Sequence, residues 1–248
     1  MRQTQSGGLR VVTLNIDWNK NLDTVLPFLS KHKADVACLQ EVREDALPLI
    51  AQAAGAHYFY VPMCGGKLHG ASSTVGLAIF SRLPICFQRA QYYVGDPGHI
   101  VELDEQTLAS RRATTYRAVA FGEVRKDNSA YRIATTHFTW TPDGKADEFQ
   151  RQDMRAMLEI LNQAGECLVC GDFNAPRGGE IYGTLCEHFK DNVPASYTTS
   201  IDPERHRIRG LTAMVDGIFT TPSYTVSTAS LHCGISDHCA LGAVVSRS

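Results

Sequence analysis

Cys167-Leu-Val-Cys-Gly-Asp-Phe-Asn174 joins a short apolar run to a polar turn, and this stretch says most about the fold. The run 167–171 predicts a buried strand, because short apolar segments bounded by turn formers are typical of strands inside a sheet. Asp172 and Asn174 follow at its end. Side chains two residues apart in an extended segment point to the same face, so we expect this carboxylate and this amide to lie side by side.

Similar strand signals recur on both sides of this stretch. Further strands are predicted over 9–16, 35–40, 56–62, 74–81, 85–94, 114–124, 131–137, 214–220, 224–231 and 239–245. Helical spacing predicts helices over 21–33, 147–162 and 179–187, the first with Asn21 as N-cap. Many strands with few helices indicate an α/β fold of two packed mixed sheets flanked by helices. We expect one domain over 9–248 after a flexible N-terminus over 1–8.

The composition is that of a folded protein without an overall charge bias. The chain has 248 residues, of which 44% are hydrophobic and 20% are charged. This is enough apolar material for a sizeable core and too little charge for disorder. The formal net charge of −2 excludes a globally basic nucleic-acid coat and leaves room for a local basic groove.

The sequence also carries signals about location. No apolar run approaches the roughly 18 residues of a membrane span, and Met1 to Gly8 is too polar for the core of a signal peptide. Of the eight cysteines, five lie in apolar stretches where a free thiol acts as a small hydrophobic group: Cys38, Cys86, Cys167, Cys170 and Cys239. This predicts a reducing, cytoplasmic setting. The alternative is a secreted protein whose leader is missing from this sequence.

The pair Cys167 and Cys170 is spaced as in many zinc and redox sites. In a strand, however, the two sulfur atoms point to opposite faces, and the sequence holds no second pair at zinc spacing. We therefore expect these thiols to be structural.

Other predicted strands also end in polar residues. These residues are Asn15, Glu41, His137, Asp216, Asp237 and His238. A polar residue at a strand end is common without any function. At the central turn, Asp172 is an ionised acceptor that can act as a base, and Asn174 can hold a water molecule beside it. An Asx turn after the strand is the structural alternative.

Asp237 and His238 place a carboxylate next to an imidazole. Neighbours in an extended segment face opposite ways, so Asp216 is the better partner for His238. A carboxylate on one ring nitrogen fixes the tautomer, raises the pKa of the imidazole and leaves the other N–H for a phosphoryl oxygen. Asp237 and Glu41 are then available as oxygen ligands, and few protein oxygens with several waters is the usual environment of Mg²⁺.

Together these residues resemble the endonuclease/exonuclease/phosphatase superfamily, which includes deoxyribonuclease I, class II apurinic endonucleases and neutral sphingomyelinases. The resemblance rests on Asn15, Leu39-Gln40-Glu41, Thr136-His137, Gly171-Asp172-Phe173-Asn174, Asp216 and Ser236-Asp237-His238, in the order of the family. It implies a four-layered α/β sandwich and hydrolysis of a phosphoester with Mg²⁺ or Mn²⁺.

The resemblance also implies roles by position. Glu41 corresponds to the main metal ligand, with Asn15 and Asp237 beside it. Asp172 corresponds to the residue that activates water, with Asn174 orienting it. His238, supported by Asp216, corresponds to the phosphate-binding histidine.

His137 matches the histidine that deoxyribonuclease-like members use. In deoxyribonuclease I a glutamate pairs with that histidine, whereas the comparable stretch here, 110–113, reads Ser-Arg-Arg-Ala. Two roles stay open for His137: general acid or phosphate binding.

Several arginines and one tryptophan are candidates for substrate contacts. Arginine suits bidentate phosphate contacts, and a tryptophan next to a catalytic residue can stack on a base. The candidates are Arg112, Trp140, Arg177, Arg205, Arg207 and Arg209. A solvated charged loop, and a tryptophan that anchors the loop to the protein body, are the structural alternatives. His137 and Arg177 also match the tyrosyl-DNA phosphodiesterase 2-like branch.

Three functions are compatible with this pattern. The favoured one is a metal-dependent phosphodiesterase that cleaves nucleic acid or processes DNA ends. The second is an enzyme of the same chemistry that acts on a phospholipid, an inositol phosphate or a small nucleotide. The third, a non-catalytic binding module, is disfavoured because every reactive position is filled. No obligate protein partner is predicted.

Overall fold

The computed structural model describes residues 7–248, which contain twelve strands and five α-helices. The strands are β1 Leu9–Asn15, β2 Val36–Arg43, β3 His57–Leu68, β4 Ala71–Ser81, β5 Ile85–Val94, β6 Arg117–Lys126, β7 Ser129–His137, β8 Leu168–Asp172, β9 Lys190–Asp191, β10 Asp216–Thr220, β11 Tyr224–His232 and β12 Ala240–Arg247. The helices are α1 Leu22–His32, α2 Leu47–Ala54, α3 Leu108–Thr114, α4 Glu148–Ala164 and α5 Glu180–His188. The prediction of a flexible segment over 1–8 falls mostly on residues 1–6, outside the described part.

The strands form two mixed six-stranded sheets. One has the order β11-β12-β1-β2-β4-β3 and the other β5-β6-β7-β8-β10-β9. Each sheet contains one parallel pair at its centre, β1 with β2 and β7 with β8. The predicted α/β fold of two packed mixed sheets flanked by helices is confirmed.

Three apolar clusters hold the layers together. The first fills the space between the sheets, where Cys38, Leu77, Ile133 and Leu241 meet. The second packs α4 and α5 on the outer face of one sheet, and the third packs α1 and α2 on the outer face of the other. The order helix, sheet, sheet, helix is the four-layered sandwich that the resemblance implied.

The helices α2 and α3 have no counterpart in the sequence-based expectation, and two strands, β3 and β6, differ from it in length. The predicted strand over 114–124 begins only at Arg117, because 108–114 folds into α3. All seven residues of α3 are at least partly exposed, so it lacks the buried apolar positions that mark a helix in the sequence. Its start is instead set by a capping box between Thr107 and Ser110. β3 runs on to Leu68 because it pairs with β4 as a long hairpin.

The cysteine prediction is wrong in two places. Cys239 is not a free thiol: it forms a disulfide with Cys233 across the turn between β11 and β12. Cys86 is exposed on an edge strand rather than buried. Cys167 and Cys170 do lie on opposite faces of β8, each in a different apolar cluster. Because disulfides are typical of oxidising compartments, the structure does not support the cysteine argument for a cytoplasmic location.

Within residues 7–248, none of the helices is long and apolar enough to span a lipid bilayer.

Strand register brings distant residues to one edge of the sandwich. His137 at the end of β7 pairs with Asp172 at the end of β8, and Asp216 at the start of β10 pairs with Asp172 from the other side. In the other sheet, which contains β1 and β2, Asn15 pairs with Gln40, the neighbour of Glu41. These strand ends of the two sheets lie on the same side of the molecule and border one cleft there.

Candidate active site

The cleft at this edge has a volume of about 450 Å³ and is walled by both sheets. Seven of the eight predicted catalytic and metal-binding residues line it: Asn15, Glu41, His137, Asp172, Asn174, Asp237 and His238. Asp216, the eighth, is buried behind His238. Residues separated by more than 200 positions in sequence therefore share one site.

Asn15 links the two sheets inside the cleft. Its side-chain amide donates to Glu41 Oε1 and to Asp172 Oδ2, both at 3.1 Å. Its own oxygen accepts a hydrogen bond from the backbone N–H of Asp17 at 3.1 Å. Asn15 is only 3% exposed, so these contacts hold one metal-ligand candidate and one base candidate at a constant separation.

Glu41 reaches the cleft through an irregularity in β2. The pairing of β2 with β4 shifts register between Leu39 and Val42, and Glu41 has a positive φ of 56°. Bulges of this kind redirect a side chain out of the regular alternation of a strand, and strained backbone is concentrated at functional sites.

The turn after β8 differs from the expected extended geometry. Asn174 has a positive φ of 49°, and its backbone N–H donates to Asp172 Oδ1 at 2.8 Å, which is the Asx turn. The same-face argument for Asp172 and Asn174 is therefore wrong, yet both side chains border the cleft. Gly171 precedes them because a Cβ there would lie 2.1 Å from the carbonyl oxygen of Thr136.

The expected contact between Asp216 and His238 is present. Nδ1 of His238 lies 2.7 Å from Asp216 Oδ2, and Nε2 lies 3.8 Å from Asp172 Oδ2. Burial opposes a charge on His238, but the carboxylates of Asp216, Asp172 and Asp237 outweigh it and raise the pKa of this imidazole well above its usual value. A charged His238 then presents its second N–H to the cleft.

His137 is in a different electrostatic state. Its Nε2 lies 3.4 Å from Asp172 Oδ2 and 3.9 Å from Glu41 Oε1. Burial and the guanidinium of Arg117, which donates to the carbonyl oxygen of His137 at 2.8 Å, lower the pKa of His137 to about 3. The single N–H of a neutral imidazole can donate a hydrogen bond to a phosphoryl oxygen but is too weak an acid to protonate a leaving group, so the lowered pKa favours phosphate binding over general-acid catalysis.

The charges of the cleft fit a divalent cation. Burial and the neighbouring Asp237 raise the pKa of Glu41 to about 7, and the same two effects raise the pKa of Asp17. Carboxylates that repel one another in a buried site are stabilised by a cation between them. Donor atoms of Asp172, Asp216 and His238 also lie within 4.8 Å of one another, but Asp216 and His238 bond to each other. Glu41, Asp237 and Asn15 are therefore the better oxygen set.

The structure divides the candidate substrate-binding residues into two groups. Trp140, Arg205 and Arg207 line the cleft. Arg177 does not, because it pairs with Asp191 at 2.9 Å and donates to the carbonyl oxygens of residues 193, 194 and 197.

The other two arginines also lie outside the cleft. Arg112 pairs with Asp147 and faces a neighbouring cavity. Arg209 is exposed in its loop and is not among the residues that line the cleft.

Several polar or aromatic residues of the cleft are absent from the sequence-based candidates, among them Asp17, Trp18, Lys20 and Glu105. Asp17 and Trp18 both have positive φ, a conformation unusual for these residues and invisible in their spacing. Lys20 pairs with Asp17 at 2.6 Å. The one available signal was the polar segment that follows β1 directly.

The comparisons with known proteins identify a family and a shared fold. The model of the endonuclease/exonuclease/phosphatase family matches residues 12–238. No protein of curated function matches the sequence.

Solved structures share the fold at low sequence identity. An endonuclease/exonuclease/phosphatase from Bacteroides vulgatus has 18% identity and a TM-score of 0.69, with 97% of this chain and 99% of that chain covered. The human Nocturnin catalytic domain with a bound sulfate anion has 18% identity and a TM-score of 0.69, with 98% and 94% covered. A mannosyl-6-phosphatase from Bacteroides thetaiotaomicron has 15% identity and a TM-score of 0.65, with 96% and 99% covered.

Proposed function

The chain belongs to the endonuclease/exonuclease/phosphatase family, and from this premise we propose that it is a divalent-metal-dependent phosphodiesterase that acts on nucleic acid. Members of the family are generally phosphoester hydrolases. The observation that carries the proposal is the continuous network in the cleft. It runs from Glu41 through Asn15 to Asp172, and Asp172 faces His238, which Asp216 supports.

Each residue of this network has a role in attacking an anionic phosphodiester. Asp172 accepts a proton from the attacking water, whose oxygen forms a bond to phosphorus while the bond to the leaving oxygen breaks. The leaving oxygen departs as an anion and takes its proton from solvent water. Asn174 is anchored by a hydrogen bond from its amide to the carbonyl oxygen of Phe138 at 2.9 Å, which leaves its own oxygen for that water. His238 donates its second N–H to a phosphoryl oxygen, where negative charge develops.

Glu41, Asp237 and Asn15 would hold the cation, Mg²⁺ or Mn²⁺. When bound, it supplies Lewis-acid chemistry by neutralising charge on the phosphoryl oxygens. The cleft otherwise combines carboxylates with a basic rim of Arg205 and Arg207. This separation of acidic floor and basic rim suits a substrate that extends beyond its reacting phosphate, and it favours nucleic acid.

A second candidate is a small phosphorylated metabolite. The cleft volume of about 450 Å³ is within the range of small-molecule sites, and one structural neighbour is described as a mannosyl-6-phosphatase. Hydrolysis of short oligonucleotides, compared with sugar phosphates and inositol phosphates at equal concentration, separates the two candidates. Activity on the sugar phosphates alone would favour the second.

The reaction type is tested with bis(4-nitrophenyl) phosphate. We expect hydrolysis with Mg²⁺ or Mn²⁺ and none with EDTA. In a Mg²⁺ titration, Glu41→Gln should need more metal and recover part of its rate, because it loses a charged ligand. Asp172→Asn should lower kcat by roughly 10²–10⁴, the usual worth of a positioned base, without rescue by metal.

The matched control is Glu187→Gln, which removes an exposed carboxylate on α5. It should leave the titration unchanged. Rescue of Asp172→Asn by metal, with no rescue of Glu41→Gln, would show that the two roles are reversed. Wild-type hydrolysis that persists in EDTA would contradict metal dependence.

A further inference from the structure

A second cavity of about 550 Å³ lies directly beside the cleft. It is enclosed by α3, the end of β5, the loop after β7 and the first turn of α4. Four residues line both spaces: Arg111, Thr115, Arg117 and Trp140. The two spaces are therefore direct neighbours, and a molecule with its phosphate in the cleft has this cavity beside it.

The walls of the cavity are mostly apolar. Val94, Leu108, Ala109 and Phe149 contribute to them. Leu108 is 38% exposed and Phe149 is 57% exposed, although both are large hydrophobic residues. Exposed apolar surface next to a charged centre is typical of a ligand site, where apolar walls enclose the ligand and a few polar groups orient it.

Few polar groups border this cavity. Asp153 lines it and accepts the hydroxyl of Thr139 at 2.5 Å. Arg111, Arg112 and Arg117 line it as well. A flat ring with polar atoms on its edge suits apolar walls with a few polar groups beside them.

Flat stacking surfaces are also present. The guanidinium of Arg111 lies 4.3 Å from the centroid of the Trp140 ring, and that of Arg112 lies 4.4 Å from the centroid of the Phe149 ring. Aromatic and guanidinium planes are the surfaces on which proteins stack bases. Arg111, which also lines the cleft, adds positive charge close to the phosphate.

We propose that this cavity binds the nucleobase attached to the phosphate in the cleft. The inference rests on the proposed function and deepens it, because it assigns the recognition of the substrate to particular residues. Asp153 would contact the edge of the base, and Phe149 and Trp140 would contact its faces.

The nucleobase proposal is tested by comparing the binding of two ligands that differ only in the base. Deoxyadenosine 3′,5′-bisphosphate and its tetrahydrofuran analogue without a base are titrated calorimetrically into the full chain at one Mg²⁺ concentration. We expect the nucleotide to bind roughly 10- to 100-fold more tightly, the worth of stacking one base. Ala109→Trp, which fills the cavity, and Phe149→Ala, which removes an exposed wall, should each bring the ratio of the two Kd values close to 1.

Phe87→Ala is the matched control. Phe87 is also an exposed aromatic residue, 42% exposed, with a guanidinium, that of Arg132, over its ring, but it lies outside both cavities. The ratio should be unchanged in this variant.

Equal Kd values for the two ligands in the wild type would overturn the nucleobase proposal. So would octyl phosphate that binds as tightly as the nucleotide and loses its affinity in Ala109→Trp, because the cavity would then be an acyl-chain site. If the base preference is present and bis(4-nitrophenyl) phosphate is not hydrolysed with Mg²⁺ or Mn²⁺, the proposed function fails while the nucleobase site stands.

Discussion

Asp216→Asn tests the part of the site that the structure defines most sharply. The variant keeps the shape of the side chain and removes its charge. Asp216 is 1% exposed and lies 2.7 Å from Nδ1 of His238. Without that carboxylate, burial weighs more against the charged imidazole and the pKa of His238 falls, although Asp172 and Asp237 still favour the charge. The charged hydrogen-bond donor to the phosphoryl oxygen is then less populated and less well oriented.

The expected decrease in kcat follows from the weakening of this donor. Removing one donor to a developing oxyanion costs roughly 2.7–4 kcal/mol, so kcat should fall by about 10²–10³. The effect on folding should be smaller, about 1–3 kcal/mol, because the asparagine retains a hydrogen bond to the ring. The assay is hydrolysis of bis(4-nitrophenyl) phosphate at saturating Mg²⁺, with the thermal unfolding midpoint measured on the same samples.

Asp191→Asn is the control for this experiment. Asp191 belongs to the same sheet and forms an ion pair of similar length with Arg177, 2.9 Å, but it lies outside the cleft. Its loss should affect stability and leave kcat near the wild-type value. A folded Asp216→Asn enzyme with wild-type kcat, or an equal loss of kcat in Asp191→Asn, would refute the assignment.

Three further predictions concern binding and stability. Arg205→Ala and Arg207→Ala should each reduce the slope of log affinity for a single-stranded oligonucleotide against log salt by about one, whereas Arg209→Ala, outside the cleft, should not. The affinities are measured by fluorescence anisotropy, and equal slopes in all three variants would contradict this prediction. Cys233→Ser should lower the free energy of unfolding by about 2 kcal/mol, the loop-closure value for a cross-link between residues six positions apart; if added reductant leaves the denaturant midpoint of the wild type unchanged, the disulfide does not stabilise the fold. Burial lowers the pKa of His32 in the folded state, so the unfolded chain binds more protons there and the free energy of unfolding should fall as the pH drops below about 6.5. His32→Gln should flatten this pH dependence in urea unfolding curves. An unchanged pH dependence would exclude His32 as its source.

Much of the architecture and the composition of the site follow from the order of residues alone. Apolar runs that end in polar residues mark the strands, because a buried strand needs apolar side chains and its end reaches solvent. The types Asp, Glu, Asn and His at those ends limit the chemistry to proton transfer, cation binding and phosphate binding. These signals are local in the sequence, so they can be recognised without knowledge of the fold.

Other features depend on contacts between distant segments. Glu41 enters the cleft because of a bulge, and Asn174 because of a left-handed turn, and neither follows from strand periodicity. Cys239 forms a disulfide because the turn before β12 returns the chain to Cys233. α3 buries none of its residues, so its position, and the cavity that it helps to enclose, cannot be predicted from apolar spacing.

The arginines show most clearly that the sequence alone does not determine which contacts a side chain makes. Arg177, Arg205 and Arg209 are alike in a sequence, since each lies in a polar segment near a motif. The fold gives Arg177 an acidic partner and several carbonyl oxygens, places Arg205 at the cleft and leaves Arg209 in solvent. A long charged side chain has little intrinsic preference for one environment, so the surrounding backbone determines which partner it finds.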